Sequence, residues 1–163
     1  RPTTDKVRQA VFNILNARGL VKDAVVLDAF CGTGALGIEA LSWGALCCTF
    51  MDRNGGSLGL GKKNFAALKI DVKHSFVLKD AAKPGRNPHP ENAATLVFLD
   101  PPYKQDLIAQ SLPVLVREGW VRPDAHILLE CEKTFDPATM ADCMVLMERH
   151  YGDTRIALVQ RRG

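Results

Sequence analysis

The sequence predicts an α/β fold: a doubly wound, mostly parallel sheet of seven strands that ends in an antiparallel hairpin. Three observations carry the prediction. Short apolar runs alternate with stretches of helical periodicity between residues 24 and 130, the pattern of strands joined by crossover helices. The first of these runs feeds a glycine-rich loop that opens a helical stretch. The last two runs, Met144 to Arg149 and Arg155 to Gln160, flank Tyr151-Gly152-Asp153, a turn signal for a hairpin. With 163 residues, of which 47% are hydrophobic, the chain has the size and core content of a single domain over 1–163. It divides into an opening helix over 1–18 and an α/β core over 24–163.

Thr4 is placed to cap the opening helix, because Val7, Val11, Ile14 and Leu15 recur at helical spacing behind it and Gly19 stops the run. Ala24 to Leu27 forms the first strand and Ala35 to Trp43 the second helix. Strands follow at Leu46 to Met51, Ser75 to Leu78, Thr95 to Leu99 and Ala125 to Glu130. A helix is expected after Asp52, running to about Leu68. Gly55, Gly56, Gly59 and Gly61 each cost roughly 0.5–1 kcal/mol against alanine inside a helix, so this one should start late or be irregular. Pro113 is expected to break the helical stretch after Gln105 near Ser111. Lys83 to Asn92 holds three prolines and no apolar period, and reads as a surface loop.

Composition excludes some classes. No run approaches the ~18–20 apolar residues that a membrane span requires, and the start lacks a basic, apolar, small-residue signal, so the chain is expected to be cytoplasmic with no membrane partner. The five cysteines, Cys31, Cys47, Cys48, Cys131 and Cys143, include no C-x-x-C pair and no histidine at zinc-finger spacing. Adjacent strand residues such as Cys47 and Cys48 point to opposite faces. Reduced, mostly buried thiols and no metal are expected. The net charge of +3 permits a nucleic-acid partner without requiring one, but the basic residues are grouped: Arg1, Lys6, Arg8, Arg18 and Lys22 near the start, and seven between Lys62 and Arg86.

The loop Leu27-Asp28-Ala29-Phe30-Cys31-Gly32-Thr33-Gly34-Ala35-Leu36-Gly37 contains G-x-G-x-x-G, with Asp52 lying 18 residues beyond Gly34. That spacing fits a dinucleotide site nearly as well as a methyl-donor site. Asp28 discriminates, because a carboxylate ahead of the glycines repels a pyrophosphate. S-adenosyl-L-methionine carries an ammonium and a sulfonium and no phosphate, so an acidic strand end has the right sign of charge. On this reading Asp28, Phe30, Cys31, Gly32, Thr33 and Gly34 form the cofactor loop, with Cys31 as packing. Asp52, beside Arg53, accepts from the ribose hydroxyls, and Asp80, beside Ala81, meets the adenine edge or orients a neighbouring amide.

The second motif is more specific. Leu96-Val97-Phe98-Leu99 runs into Asp100-Pro101-Pro102-Tyr103, and enzymes that methylate amines of nucleic-acid bases carry D/N-P-P-Y/F/W at this place. Such an amine is a poor nucleophile, its lone pair delocalised into the base. Asp100 and the Pro101 carbonyl can accept its two hydrogens, Pro101 and Pro102 fix the backbone so that the acceptors converge, and Tyr103 offers a stacking surface for the base. Direct displacement needs no enzyme nucleophile, and no Pro-Cys dipeptide points to a cysteine adduct.

With both motifs in place the chain resembles the RsmD family, bacterial methyltransferases of the class I, Rossmann-like fold that modify the N2 of one guanine in 16S ribosomal RNA. The carriers are the opening segment Arg1-Pro2-Thr3-Thr4-Asp5-Lys6-Val7-Arg8-Gln9-Ala10-Val11-Phe12-Asn13-Ile14-Leu15, the loop Leu27 to Ser42, and Phe98 to Tyr103. The opening segment is the part that separates this family from other amino-methyltransferases. The resemblance implies S-adenosyl-L-methionine as cofactor, S-adenosyl-L-homocysteine as product, and 16S rRNA or an assembling small subunit as partner of a monomer. Arg1, Lys6 and Arg8 would meet RNA. Members of the family are similar in having a short N-terminal hairpin before the Arg-Pro-Thr segment, and this sequence starts at that segment. The alternatives are a DNA adenine-N6 or cytosine-N4 methyltransferase, an NAD-dependent oxidoreductase, and a nucleic-acid-binding module without catalysis.

Overall fold

A computed structural model describes residues 4–102 and 106–163. The opening helix α1 spans Asp5–Ala17, and the Thr4 hydroxyl accepts from the Val7 amide as its N-cap. Strand β1 (Val25–Asp28) leads through the glycine loop to α2 (Ala35–Ser42), and β2 (Cys47–Asp52) to α3 (Gly55–Ala67). Then come β3 (Lys73–Leu78), β4 (Ala94–Leu99), α4 (Asp106–Arg117), β5 (Val121–Glu132), β6 (Cys143–Tyr151) and β7 (Thr154–Arg161).

All seven strands join one sheet in the order β3-β2-β1-β4-β5-β7-β6. Pairing is parallel through β5, and β7 inserts antiparallel between β5 and β6. The strand order reverses between β1 and β4, and such a switch point leaves a crevice at the carboxyl ends of the strands. Alternate residues of the central strands serve two apolar layers. Val26, Phe98 and Leu128 face the layer built with Val11, Phe12 and Leu15 of α1, Ala40 and Leu41 of α2, and Leu58 and Phe65 of α3. Leu27, Leu99 and Leu129 face the opposite layer, with Ile108, Leu112 and Leu115 of α4. Phe12 fixes α1 to the sheet, its ring centroid 5.7 Å from Phe98 and 6.1 Å from Trp43.

Two expectations about helices are corrected. The glycine-rich helix is neither late nor broken: α3 starts at Gly55, directly after Asn54, whose side chain accepts from the Ser57 amide at 3.0 Å. The cap offsets part of the glycine cost, and Leu58, Gly61 and Phe65 supply a buried stripe. Gly61 has a packing reason as well, because a Cβ there would lie 3.2 Å from the Thr33 carbonyl oxygen and from the Phe76 ring. Nor does Pro113 break α4, which is continuous through Ser111. Pro113 and Ala109, whose carbonyl loses its donor, are both exposed, so the defect faces water while Ile108, Leu112 and Leu115 hold the buried side. The hairpin turn is narrower than expected: Tyr151 belongs to β6, and Gly152, at φ 60°, makes the reversal with Asp153.

Helix α2 lies so close to the sheet that a Cβ on Gly37 would come within 2.5 Å of the Phe50 ring and 2.8 Å of the Cys48 sulfur. Gly37→Ala is therefore expected to lower the free energy of unfolding by about 1–3 kcal/mol, the cost of overpacking a close contact. Urea titration of the two proteins measures this, and an unchanged midpoint would refute the tight packing described.

Candidate active site

The crevice at the switch point is a cavity of about 400 Å³, whose walls include the ends of β1, β2, β4 and β5. Its floor is the glycine loop. Gly32 and Gly34 have φ of 54° and 87°, values that side chains rarely permit. A Cβ at Gly34 would press on Phe50 at 3.2 Å, whereas nothing lies within 4 Å of one at Gly32. Gly34 thus serves the turn beneath α2, and Gly32 keeps the cavity side of the loop bare.

Two carboxylates fasten this loop. Asp28 accepts from the Gly37 amide at 3.0 Å, in the first turns of α2, and Asp52 accepts from Gly32 at 2.8 Å and from Asn54 at 2.8 Å. The Cys31 amide donates to the Met51 carbonyl at 3.0 Å, which ties the loop to β2 a second time. Asp80 stands two residues beyond β3, in a local turn where it accepts from the Ala82 amide at 2.9 Å. Burial raises the Asp28 carboxyl from its ordinary 3.8 to about 7; the Gly37 bond opposes the rise and the charge of Asp52 adds to it. Burial also pushes up the Cys31 thiol, with help from Asp28 and Asp52, so Cys31 is protonated and is no nucleophile.

The structure brings most of the sequence candidates together. Asp28, Phe30, Cys31, Gly32, Thr33, Asp52, Arg53, Asp80, Ala81, Asp100, Pro101 and Pro102 all line the cavity, and Gly34 sits just beneath it. Pro101 is buried and Pro102 exposed. Tyr103 and Arg1 lie outside the described residues. Lys6 is exposed on α1 and does not line the cavity. Arg8 does line it, held by ion pairs to Asp5 and, at 3.4 Å, to Glu39, whose other oxygen accepts from the Trp43 indole at 2.8 Å. Sequence reasoning gave no role to Lys79, Leu107, Ile108, Glu130, Cys131 and Glu132, which also line the walls. A signal for Glu130 existed: like Asp28, Asp52 and Asp100, it follows an apolar strand run with an acid. Among the described residues, no group of three or more His, Cys, Asp or Glu could hold a metal ion, and no helix is long and apolar enough to cross a membrane.

The fold and its acidic switch-point cavity define a class I methyltransferase architecture. The magnesium protoporphyrin IX methyltransferase ChlM of Synechocystis PCC 6803, solved with bound SAM, shares it with a TM-score of 0.75 at 17% identity, over 96% of this chain and 78% of that one. The solved Escherichia coli protein yhhF matches with a TM-score of 0.82 at 30% identity, over 100% of this chain and 90% of that one. The family model described as "Conserved hypothetical protein 95" matches residues 1–160. The "Ribosomal RNA small subunit methyltransferase D" of Escherichia coli K12 is 34% identical over 167 residues, which is 100% of this chain and 80% of that protein. Its Haemophilus influenzae counterpart is 32% identical over 98% of this chain and 82% of that protein. The chain belongs to this family, that of the RsmD methyltransferases.

Asp28 yields a test that needs no ligand. Its folded-state pKa, about 7, exceeds the unfolded 3.8, so the folded protein keeps a proton that the unfolded chain has lost. Stability of the unliganded protein therefore falls as pH rises from about 4 to 7, and the full penalty stands above 7. Asp28→Asn keeps an acceptor for Gly37 and removes the charge. It is expected to be more stable than wild type at pH 8, by no more than about 4 kcal/mol for three units at ~1.36 kcal/mol each. The gain should vanish at pH 4 in thermal or urea denaturation, and a gain independent of pH would contradict the assignment.

Proposed function

We propose that the protein transfers a methyl group from S-adenosyl-L-methionine to the exocyclic N2 amine of a guanine in small-subunit 16S ribosomal RNA, releasing S-adenosyl-L-homocysteine. One observation carries this reading: the Asp100-Pro101 acceptor pair and the glycine loop open into one acidic cavity. The relatives named for small-subunit rRNA support RNA over DNA as substrate.

The residues fit the cofactor. The bare backbone at Gly32 admits a ligand against the loop, and the carboxylates of Asp28 and Asp52 suit a ligand with an ammonium, a sulfonium and ribose hydroxyls. When bound, the cofactor supplies an electrophilic methyl group on sulfur. Asp52, which holds Gly32, would accept from the ribose hydroxyls, and Asp80 and Ala81 would border the adenine. Asp100 and the Pro101 carbonyl accept the two amine hydrogens and turn the nitrogen lone pair toward the methyl group. The rigid Pro101-Pro102 backbone keeps the two acceptors converged. Tyr103 stacks on the base once it leaves its helix. Lys6 and Arg8 on α1 engage RNA phosphates at the rim, as Arg1 does in the same basic segment. The protein acts as a monomer in the cytoplasm.

Asp100→Ala is expected to lower single-turnover methyl transfer by roughly 10² or more, as loss of a positioned polar group does, while S-adenosyl-L-homocysteine affinity changes little. Tyr103→Ala instead costs about 1–3 kcal/mol, seen in RNA-dependent terms. Near-wild-type transfer by Asp100→Ala would refute the mechanism.

Two binding measurements address the remaining roles. By calorimetry, Asp52→Ala weakens S-adenosyl-L-homocysteine binding at least tenfold, about 1.4 kcal/mol; equal affinity removes Asp52 from the site. RNA affinity falls steeply with salt, and Lys6→Glu lowers both the affinity and the salt slope without altering cofactor binding. A flat salt titration would refute an electrostatic interface.

A further inference from the structure

Three cations cluster at the ends of β2 and β3. Arg53 and Lys79 directly follow the two strands, and both line the cavity. The Lys79 amide donates to the Asp52 carbonyl at 3.0 Å, and that carbonyl is part of the peptide leading into Arg53, so the two backbones lie against each other. Lys83 is exposed and closes the Asp80 turn, its amide donating to the Asp80 carbonyl at 2.9 Å.

The neighbouring acids do not account for these cations. Asp52 accepts from the Gly32 and Asn54 amides, and Asp80 from the Ala82 amide. Among the described residues, Arg53, Lys79 and Lys83 form no salt bridge with these or any other carboxylates. Arg8 differs, its guanidinium being paired with Asp5 and Glu39. Like charges gathered at one sheet end repel, and an anion among them relieves the repulsion. The cofactor does not supply that anion. With Asp52 at the ribose and Asp80 at the adenine, as proposed above, this end of the cavity receives the uncharged adenosine, and the cofactor's carboxylate belongs to its other end. The anion that arrives with a target base is the phosphodiester of its own strand.

Resting on the RNA reading above, we infer that Arg53, Lys79 and Lys83 form a phosphate-binding lip that holds the RNA backbone beside the target nucleotide. The lip stands across the sheet from the basic segment of α1. That helix packs through Phe12 on Phe98 of β4, and β4 lies on the far side of β1 from β2 and β3. A backbone held at both places leaves the base between them over the cavity, and the contacts help to offset the stacking lost when it turns inward. Contacts of this kind fix the register of the strand without reading its sequence.

The test uses the full chain and protein-free 16S rRNA, with affinity measured against salt. Lys79→Gln/Lys83→Gln removes two charges from the lip and spares Arg53, which adjoins the carboxylate proposed for the ribose. Lys62→Gln/Lys63→Gln, at exposed positions of α3 outside the cavity, removes the same charge and serves as the control. Each phosphate contact contributes about 0.7 to the logarithmic salt slope on a single strand, so the lip variant should be shallower by about 1.4 and bind at least about tenfold more weakly at about 0.1 M salt. The control should change by less than about half as much, S-adenosyl-L-homocysteine affinity should stay at the wild-type value in both, and Lys79→Arg/Lys83→Arg should keep the wild-type slope. Equal losses in the lip variant and the control would overturn the inference while leaving the RNA reading standing. So would weakened S-adenosyl-L-homocysteine binding with an unchanged slope, which would assign the cations to the cofactor, and so would an effect confined to assembled small subunits, which would assign them to a ribosomal protein. Failure of wild type to bind the RNA in a salt-dependent way would overturn both. Should the double variant not fold, Lys83→Gln against Lys63→Gln makes the same comparison at half the change in slope.

Discussion

The bonds from Asp28 to the Gly37 amide and from Asp52 to the Gly32 amide hold the loop on which the rest of the site is built. A chain leaving β1 must turn into α2 within a few residues, and the turn leaves amides that neither the sheet nor the helix satisfies. Carboxylates at two adjacent strand ends take up these donors. Once the loop is fixed, α2 can approach the sheet to the limit that Gly37 permits, and α3 can approach the loop to the limit that Gly61 permits. The cavity is the space left on the open side of that assembly.

The arrangement carries an electrostatic cost that points to a ligand. Burying Asp28 with one amide partner raises its carboxyl toward neutrality, and the charge of Asp52 raises it further. A structure selected for stability alone would place an amide there. The cost is offset when a cation enters, because an opposite charge nearby favours the ionised carboxylate. Cys31 suffers the same field in the opposite functional sense: two carboxylates and burial keep the thiol protonated beside the site, where a thiolate would compete for an electrophilic methyl group.

Most of this was legible in the sequence, and the misses have physical reasons. Strand identity, the hairpin and the place of the glycine loop followed from apolar runs and their punctuation, because those signals are local. The expectations for α3 and α4 failed where tertiary context overrides propensity. Asn54 caps α3 and Gly61 pays its way in close packing, and the defect at Pro113 is turned to water. Glu130 was visible only as the end of a strand. That it lines the same cavity as Asp100 depends on the pairing of β4 with β5, which sets Leu99 against Leu129, residues 30 positions apart, and no local pattern encodes it. Arg8 shows the same limit: its helical position was clear from sequence, but its pairing with Glu39 on α2 needed the packing of α1.

On the proposed reading one end of a single sheet receives a cationic cofactor and a polyanionic RNA, and their electrostatic demands conflict. The chain resolves the conflict by depth. Carboxylates occupy the strand ends inside the cavity, and most of the lysines lie on exposed helix and loop surfaces, so the net charge of +3 conceals two regions of opposite sign. Exposed charges more than a Debye length apart, about 8 Å at physiological salt, barely sense one another, whereas the buried carboxylates act at close range in a poorly screened space. Arg8 stands at the boundary, in the cavity wall yet paired with Asp5 and Glu39. Those pairings already engage part of its charge, so on the proposed reading the long-range attraction of RNA falls to exposed lysines such as Lys6. What Arg8 contributes is placement: it fastens the first turns of α1 against α2, next to the acidic cavity that, on the proposed reading, receives the base.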